Sequence, residues 1–293
     1  MGLKMANKQA NIKNSIVLMG PCGVGKSLIS ETLAKRTGMP KLDIDDLMFM
    51  IELDLGGTLS PNKVHQERFI KEQLNELKTI KRDTPLTEEE LKQEEVLVRN
   101  FVKLYDYYYE LLGGFSKFHA DYYNYYKSTQ GYTTDLHEVY LHNKLAMELI
   151  DTIYNSTDTP FIISPPASLG WTNNSILHPS LQTLQKEKIN PFLQSTQTVL
   201  LEPGEDYYIK NPNDPKSVNS RVFMKNYENY YPYADLSIST NGLFYEPEND
   251  FLKQRTWVNV REYLTKKRLK NRGEIGNICD QIINNLQDLE QTK

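Results

Sequence analysis

The chain has 293 residues, a formal net charge of −4, 39% hydrophobic residues and 25% charged residues. This balance fits a folded globular protein and leaves no basic field to draw it onto nucleic acid or an anionic membrane. No run approaches the roughly 18 apolar residues of a membrane helix. Two cysteines, Cys22 and Cys279, cannot build a disulfide framework, and no signal-peptide core follows Met1, so the expected setting is reducing and cytoplasmic.

Residues 1–14 are polar and aperiodic and read as a flexible arm. Ile16-Val17-Leu18-Met19, bounded by Gly20 and Pro21, has the pattern of a strand buried on both faces of a parallel sheet. Similar runs recur at 41–44, 161–164, 198–201 and 236–239. Short buried strands separated by helical stretches predict a doubly wound, mostly parallel α/β sheet of about five strands, because parallel neighbours need crossover connections. The core is expected at 15–54 and 160–249.

The stretch 55–159 is too long for a simple crossover and reads as a mostly helical insertion, an acceptor-site cap. Ser60-Pro61 announces a helix carrying Phe69, Ile70, Leu74, Leu77 and Ile80. Thr87-Glu88-Glu89-Glu90 is a capping box for a second helix, with Leu91, Val98, Phe101, Tyr105, Tyr108 and Leu112 on one face and a stop at Gly113-Gly114. A tyrosine-rich tract follows, then a third helix from about Asp135 to Tyr154. The tract lacks interleaved basic residues, so its rings are expected to pack within the cap rather than stack nucleic-acid bases. Residues 250–293 are expected to hold C-terminal helices, interrupted near Gly273 and Gly276. His137 and His142 are five apart, which turns them roughly 140° from one another on a helix and argues against a zinc pair.

One motif carries chemistry. Gly20-Pro21-Cys22-Gly23-Val24-Gly25-Lys26-Ser27 matches G-x-x-x-x-G-K-[ST] in full, directly after a strand and before a helix. Such a loop curls so that backbone N–H groups from Gly20, Gly23, Val24, Gly25, Lys26, Ser27 and Leu28 surround phosphate, and the helix start adds positive field. Lys26 would reach the terminal phosphates and the Ser27 hydroxyl would ligate Mg²⁺, so ATP and Mg²⁺ are the expected cofactors. Leu42-Asp43-Ile44-Asp45-Asp46 closes the second strand, at the end of an open sheet that faces ligand. Phosphoryl transfer needs one carboxylate near the metal and another to orient or deprotonate the attacking hydroxyl.

From Ile16 to Asp46 the order strand, Gly-Pro-Cys-Gly-Val-Gly-Lys-Ser, helix, Leu-Asp-Ile-Asp-Asp resembles the N-terminal third of the shikimate kinase family. The resemblance implies that Asp43 helps hold the Mg²⁺ water shell and that Asp45 contacts the acceptor hydroxyls, making Lys26, Asp43 and Asp45 catalytic. It also implies a lid in 205–221, where Lys210, Lys216 and Arg221 supply a phosphate cation. Residues 161–164 resemble the family's third strand, and 230–241 resemble the approach to its last strand and adenine loop. The family's three glycines after the third strand correspond here to Pro166-Ala167-Ser168. Its two acceptor-gripping arginines fall at about Leu141 and Asn226, which cannot hold a carboxylate bidentately. The expected activity is therefore phosphoryl transfer to a small-molecule hydroxyl other than that of shikimate. The rivals are a genuine shikimate kinase or another P-loop metabolite or nucleotide kinase, and a nucleotide-binding module that engages a protein partner through 55–159. Dephospho-coenzyme A kinases and zeta-toxin kinases also place Asp-x-Asp on a strand after a P-loop helix.

Overall fold

Five short segments, most of them apolar, pair as parallel strands with most of their apolar side chains buried on the sheet faces. A computed structural model describes residues 14–20, 24–79, 87–129, 136–166, 169, 179–202, 233–240 and 272–292. In it β1 (Ile16–Met19), β2 (Lys41–Asp43), β3 (Ile162–Ser164), β4 (Gln197–Glu202) and β5 (Leu236–Ser239) form one sheet. The strand order is β2-β3-β1-β4-β5, and every neighbouring pair is parallel. The expected strand class holds throughout, with boundaries shifted by one residue at most.

The helix after β1 is α1 (Lys26–Thr37), stopped as expected by Gly38, whose φ of 75° and N–H bond to Ala34 O close the last turn. Ile29 and Leu33 of α1 are buried with Ile16 and Leu18 of β1, Ile162 of β3 and Val199 and Leu201 of β4. Leu28 and Ala34, also expected inward, are partly buried against the same cluster. The C-terminal helix, which we label α9 (Arg272–Thr292), adds Ile275, Ile278, Cys279, Ile282 and Leu286 to that face. Val17, Ile163 and Leu200 are also buried and alternate along the strands with that set, so the other face of the sheet is covered too.

α9 begins at Arg272, beside Gly273, with the residues before it outside the described ones, but contrary to the expected interruption it runs unbroken through Gly276. The physical reason is close approach: Arg36 Nη1 donates to Gly276 O at 3.0 Å, and a Cβ at that position would lie 3.1 Å from Arg36 Nη2. Here glycine makes room for a guanidinium, and the ion pair of Arg36 with Asp280 fixes the same contact. The rest of the stretch 250–271 lies outside the described residues, as does the arm but for its last residue.

The chain divides into two compact units, residues 1–44, 128–246 and 271–293, and residues 45–127 with 247–270. The first unit takes in α6 (Leu136–Ser156), expected within the insertion, because α6 packs on α7 (Pro179–Leu184). From α7 the chain passes through a π-helical turn at Gln185–Ile189 into α8 (Asn190–Ser195) and β4, a segment that no sequence signal singled out.

The second unit begins with most of α2 (Ile44–Leu55) and continues through α3 (Lys63–Thr79), α4 (Glu88–Leu111) and α5 (His119–Thr129). The capping box forms as expected, with Thr87 Oγ1 accepting from Glu90 N and Glu90 Oε2 accepting from Thr87 N. The start of α3 is corrected: Asn62 Oδ1 takes the Val64 N–H at 2.8 Å, so the cap is Asn62 rather than Ser60, which instead meets His65 Nδ1. Phe101 packs between Phe49 and Phe69, with ring centroids 6.0 and 6.2 Å away. Tyr105, Tyr108, Phe115, Phe118 and Tyr122 are buried, so much of the aromatic tract packs as a core. Among the described residues no helix is long and apolar enough to cross a membrane.

Candidate functional site

Because β1 lies between β3 and β4, connections from its two sides diverge at its carboxyl end, the place where open α/β sheets hold ligands. The loop leaving β1 begins at Gly20, whose φ is 151°. A Cβ there would meet Val24 Cγ1 at 2.7 Å and Leu201 O at 2.9 Å, so the tight return of the loop demands glycine. Val24 is fully buried and anchors the loop's exit, and Gly25 is the N-cap of α1 in a left-handed conformation at φ 96°.

Gly25, the N-cap of α1, has no side chain to cap it, and the first turn carries no acidic residue. The first N–H groups of a helix need an acceptor from outside it, and the glycine N-cap offers none of its own. Lys26, the first residue of the helix, is 9% exposed, and its Nζ donates to Gly20 O at 2.7 Å. Ser27 and Leu28 follow as half-buried residues. Gly23, Pro21 and Cys22 lie outside the described residues, and so do Arg221, Lys210, Lys216 and the whole expected lid.

The carboxylates divide between two elements. Asp43 ends β2, is 6% exposed, and stands in register with the buried Ser164 at the end of β3. Asp45 is not on the strand: α2 begins at Ile44, which puts Asp45 and Asp46 in the helix's first turn, where acidic side chains favour the positive end of the helix dipole. Asp45 is exposed and belongs to the second unit.

One residue that the motifs did not flag stands out. Lys41 Nζ lies 3.2 Å from Asp43 Oδ2, with the lysine side chain 16% exposed. The two share one face of β2 because side chains two apart on a strand point the same way. That i, i+2 spacing of opposite charges on a buried strand end was the available signal.

A strand, a glycine-cornered loop with a buried lysine, and a helix starting against the centre of a parallel sheet define a P-loop NTPase-type α/β fold. Comparison with known proteins adds little to that assignment. The chain is similar to shikimate kinase from Bacteroides thetaiotaomicron, at 13% identity over 88% of this chain and 98% of that one, with a TM-score of 0.27. No family model and no curated protein matches it. The fold class rests on strand order and register, not on that likeness.

Proposed function

We propose that the protein is a P-loop phosphotransferase that uses ATP and Mg²⁺ to phosphorylate a hydroxyl of a small-molecule acceptor. The observation that supports it most is Lys26, buried at the head of a helix whose N-cap is a glycine and bonded to Gly20 O at the carboxyl end of the central strand. An ammonium held at a loop carbonyl is positioned to trade that oxygen for phosphate. The donor set fits the cofactor: backbone N–H groups at a helix start and an ammonium suit polyphosphate, while a hydroxyl and a carboxylate suit Mg²⁺, which keeps water and phosphate oxygens as its other ligands.

Bound Mg²⁺-ATP supplies the γ-phosphoryl group and neutralises its charge. Gly20, Val24, Gly25, Lys26, Ser27 and Leu28 would line the phosphates, and the sequence motif and resemblance add Gly23 and the cation Arg221, which lie outside the described residues. Ser27 and Asp43 would hold the metal. Asp45 would orient the acceptor hydroxyl and accept its proton during transfer. The departures at Leu141, Asn226 and Pro166 support an acceptor other than shikimate.

The test is mass spectrometry of a metabolite extract spiked with shikimate, incubated with Mg²⁺-ATP and either the wild type or Lys26→Ala. A metabolite that gains a phosphoryl group only with the wild type is the expected result. Phosphorylated shikimate would overturn the acceptor assignment. No phosphorylated product from a protein that binds ATP would favour a nucleotide-binding module.

A further inference from the structure

We infer that Lys41 is an internal counter-ion for Asp43, one that competes with Mg²⁺ for the carboxylate and so sets the Mg²⁺ dependence of nucleotide binding. The inference rests on the phosphotransferase reading above and deepens it by adding a residue that tunes the metal side of the site.

The argument begins with burial. A carboxylate 6% exposed at a strand end is costly to hold ionised without a cation beside it. Lys41 supplies one at 3.2 Å from the same strand and the same face. Its place is on β2, the edge strand of the sheet, and its four-carbon stem is the flexible kind that can withdraw an ammonium without moving backbone. The lysine therefore does two things for Asp43. It keeps the carboxylate charged and aimed, and it reduces the negative charge that metal-free ATP phosphates would meet. A divalent cation arriving with the nucleotide must take over that charge from the ammonium.

The two states respond in opposite directions when the ammonium is removed. In Lys41→Met the stem remains and the charge is lost. ATP in EDTA then faces a carboxylate stripped of this counter-charge and binds more weakly, while Mg²⁺ gains a carboxylate freed of this competitor. The ratio of ATP affinity at saturating Mg²⁺ to that in EDTA should rise about three- to tenfold, the range expected for a partly buried ion pair. Lys41→Arg keeps the charge and should keep the wild-type ratio. In an Asp43→Asn background the ratio should fall, and adding Lys41→Met should then change nothing.

The experiment is calorimetric titration of ATP into the wild type, Lys41→Met, Lys41→Arg, Asp43→Asn and the Lys41→Met/Asp43→Asn double variant, with Mg²⁺ and with EDTA. A raised ratio in Lys41→Met that vanishes in the double variant is the expected result. A lysine that merely braces the edge strand would shift both affinities together, and an unchanged ratio in Lys41→Met overturns the inference while leaving the phosphotransferase reading intact. A wild type whose ATP affinity does not depend on Mg²⁺ overturns both.

Discussion

Lys26 Nζ donates to the backbone oxygen of Gly20 at 2.7 Å, tying the first residue of α1 to the first residue of the loop that precedes it. The bond joins the two ends of the loop, so the Gly20 corner and the position of the Lys26 ammonium are coupled. Whatever disturbs the Gly20 corner disturbs the lysine.

Gly20→Ala should therefore be among the most damaging single-methyl additions in the chain. Its φ of 151° and the 2.7 and 2.9 Å approaches to Val24 Cγ1 and Leu201 O combine backbone strain with overpacking against a main-chain oxygen. The expected loss is about 2–4 kcal/mol in a denaturant titration. Gly57→Ala is the control, because Gly57 has φ 66° but a Cβ added there would meet nothing within 4 Å, leaving only the conformational cost of about 1 kcal/mol. Equal losses at the two positions would show that the loop corner is not tightly packed.

How far the sequence revealed the fold depends on the kind of signal each element carries. The strands were legible because Ile16–Met19 and most of its counterparts carry short apolar stretches bounded by glycine, proline or a charged residue. The sheet's order was not legible, since parallel strands of similar composition carry no mark of which neighbour they choose. Gly276 misled because glycine within a helical pattern can mean either a break or a close approach, and only the place of Arg36 decides between them. At Ser60-Pro61-Asn62 three residues in a row can begin a helix, and the hydrogen bond to Val64 N chose the last. The G-x-x-x-x-G-K-[ST] motif stood out in the sequence at once, whereas the Lys41–Asp43 pair, marked only by its i, i+2 spacing on a short strand, stood out once the 3.2 Å contact was in view.

In the helical unit, Asp54 should act as the acceptor that joins α2, α4 and α5. Its two carboxylate oxygens accept from Tyr105 Oη at 2.7 Å and meet His119 Nε2 at 2.8 Å. Asp54→Ala leaves the buried Tyr105 hydroxyl without its main acceptor and should cost about 1–3 kcal/mol. Adding Tyr105→Phe removes the orphaned donor, so the double variant should lose less than the two single losses combined, with a coupling of about 1 kcal/mol. Strict additivity in urea melts would mean the bond contributes nothing to stability.

Stability should decline at alkaline pH, for reasons that can be assigned to residues. Burial pushes the Cys279 thiol up to about 12. Burial, then the hydrogen bond to Asp54, raises Tyr105, and burial with the hydrogen bond to Glu52 raises Tyr122. A group whose folded value lies above its unfolded one holds its proton more tightly when folded. Its contribution is full below the unfolded value, about 8.5 for cysteine and 10 for tyrosine, and is lost as pH climbs toward the folded value. Each such group removes about 1.4 kcal/mol per pH unit across its window. Cys279→Ala should flatten the decline between about pH 9 and pH 11, where cysteine titrates ahead of tyrosine. In the wild type, alkylation mapped to the Cys279 peptide should proceed only as fast as the protein opens, since the side chain is fully buried. Rapid labelling of native Cys279, or an unchanged slope in Cys279→Ala, would contradict this account.

The last prediction separates the two carboxylates. Asp43 is buried at a strand end beside Lys41, whereas Asp45 is exposed in the first turn of the following helix, so their neutral variants should fail in different ways. On the proposed roles, Asp43→Asn removes a carboxylate offered to the metal and should weaken ATP binding mainly in the presence of Mg²⁺, with product formation falling in step. Asp45→Asn keeps the size of the side chain but cannot accept a proton. It should leave ATP affinity within about twofold of the wild type while lowering the rate of transfer by about 10²–10⁴-fold, the range that a positioned base contributes. Calorimetry and a phosphorylation time course on the same preparations provide both numbers. If Asp45→Asn transfers phosphate at the wild-type rate, Asp45 is a dipole-facing residue at the head of α2 and the proton must go to another acceptor. If it also loses ATP binding, Asp45 acts on the nucleotide rather than on the acceptor, and the division of labour between the two carboxylates is wrong.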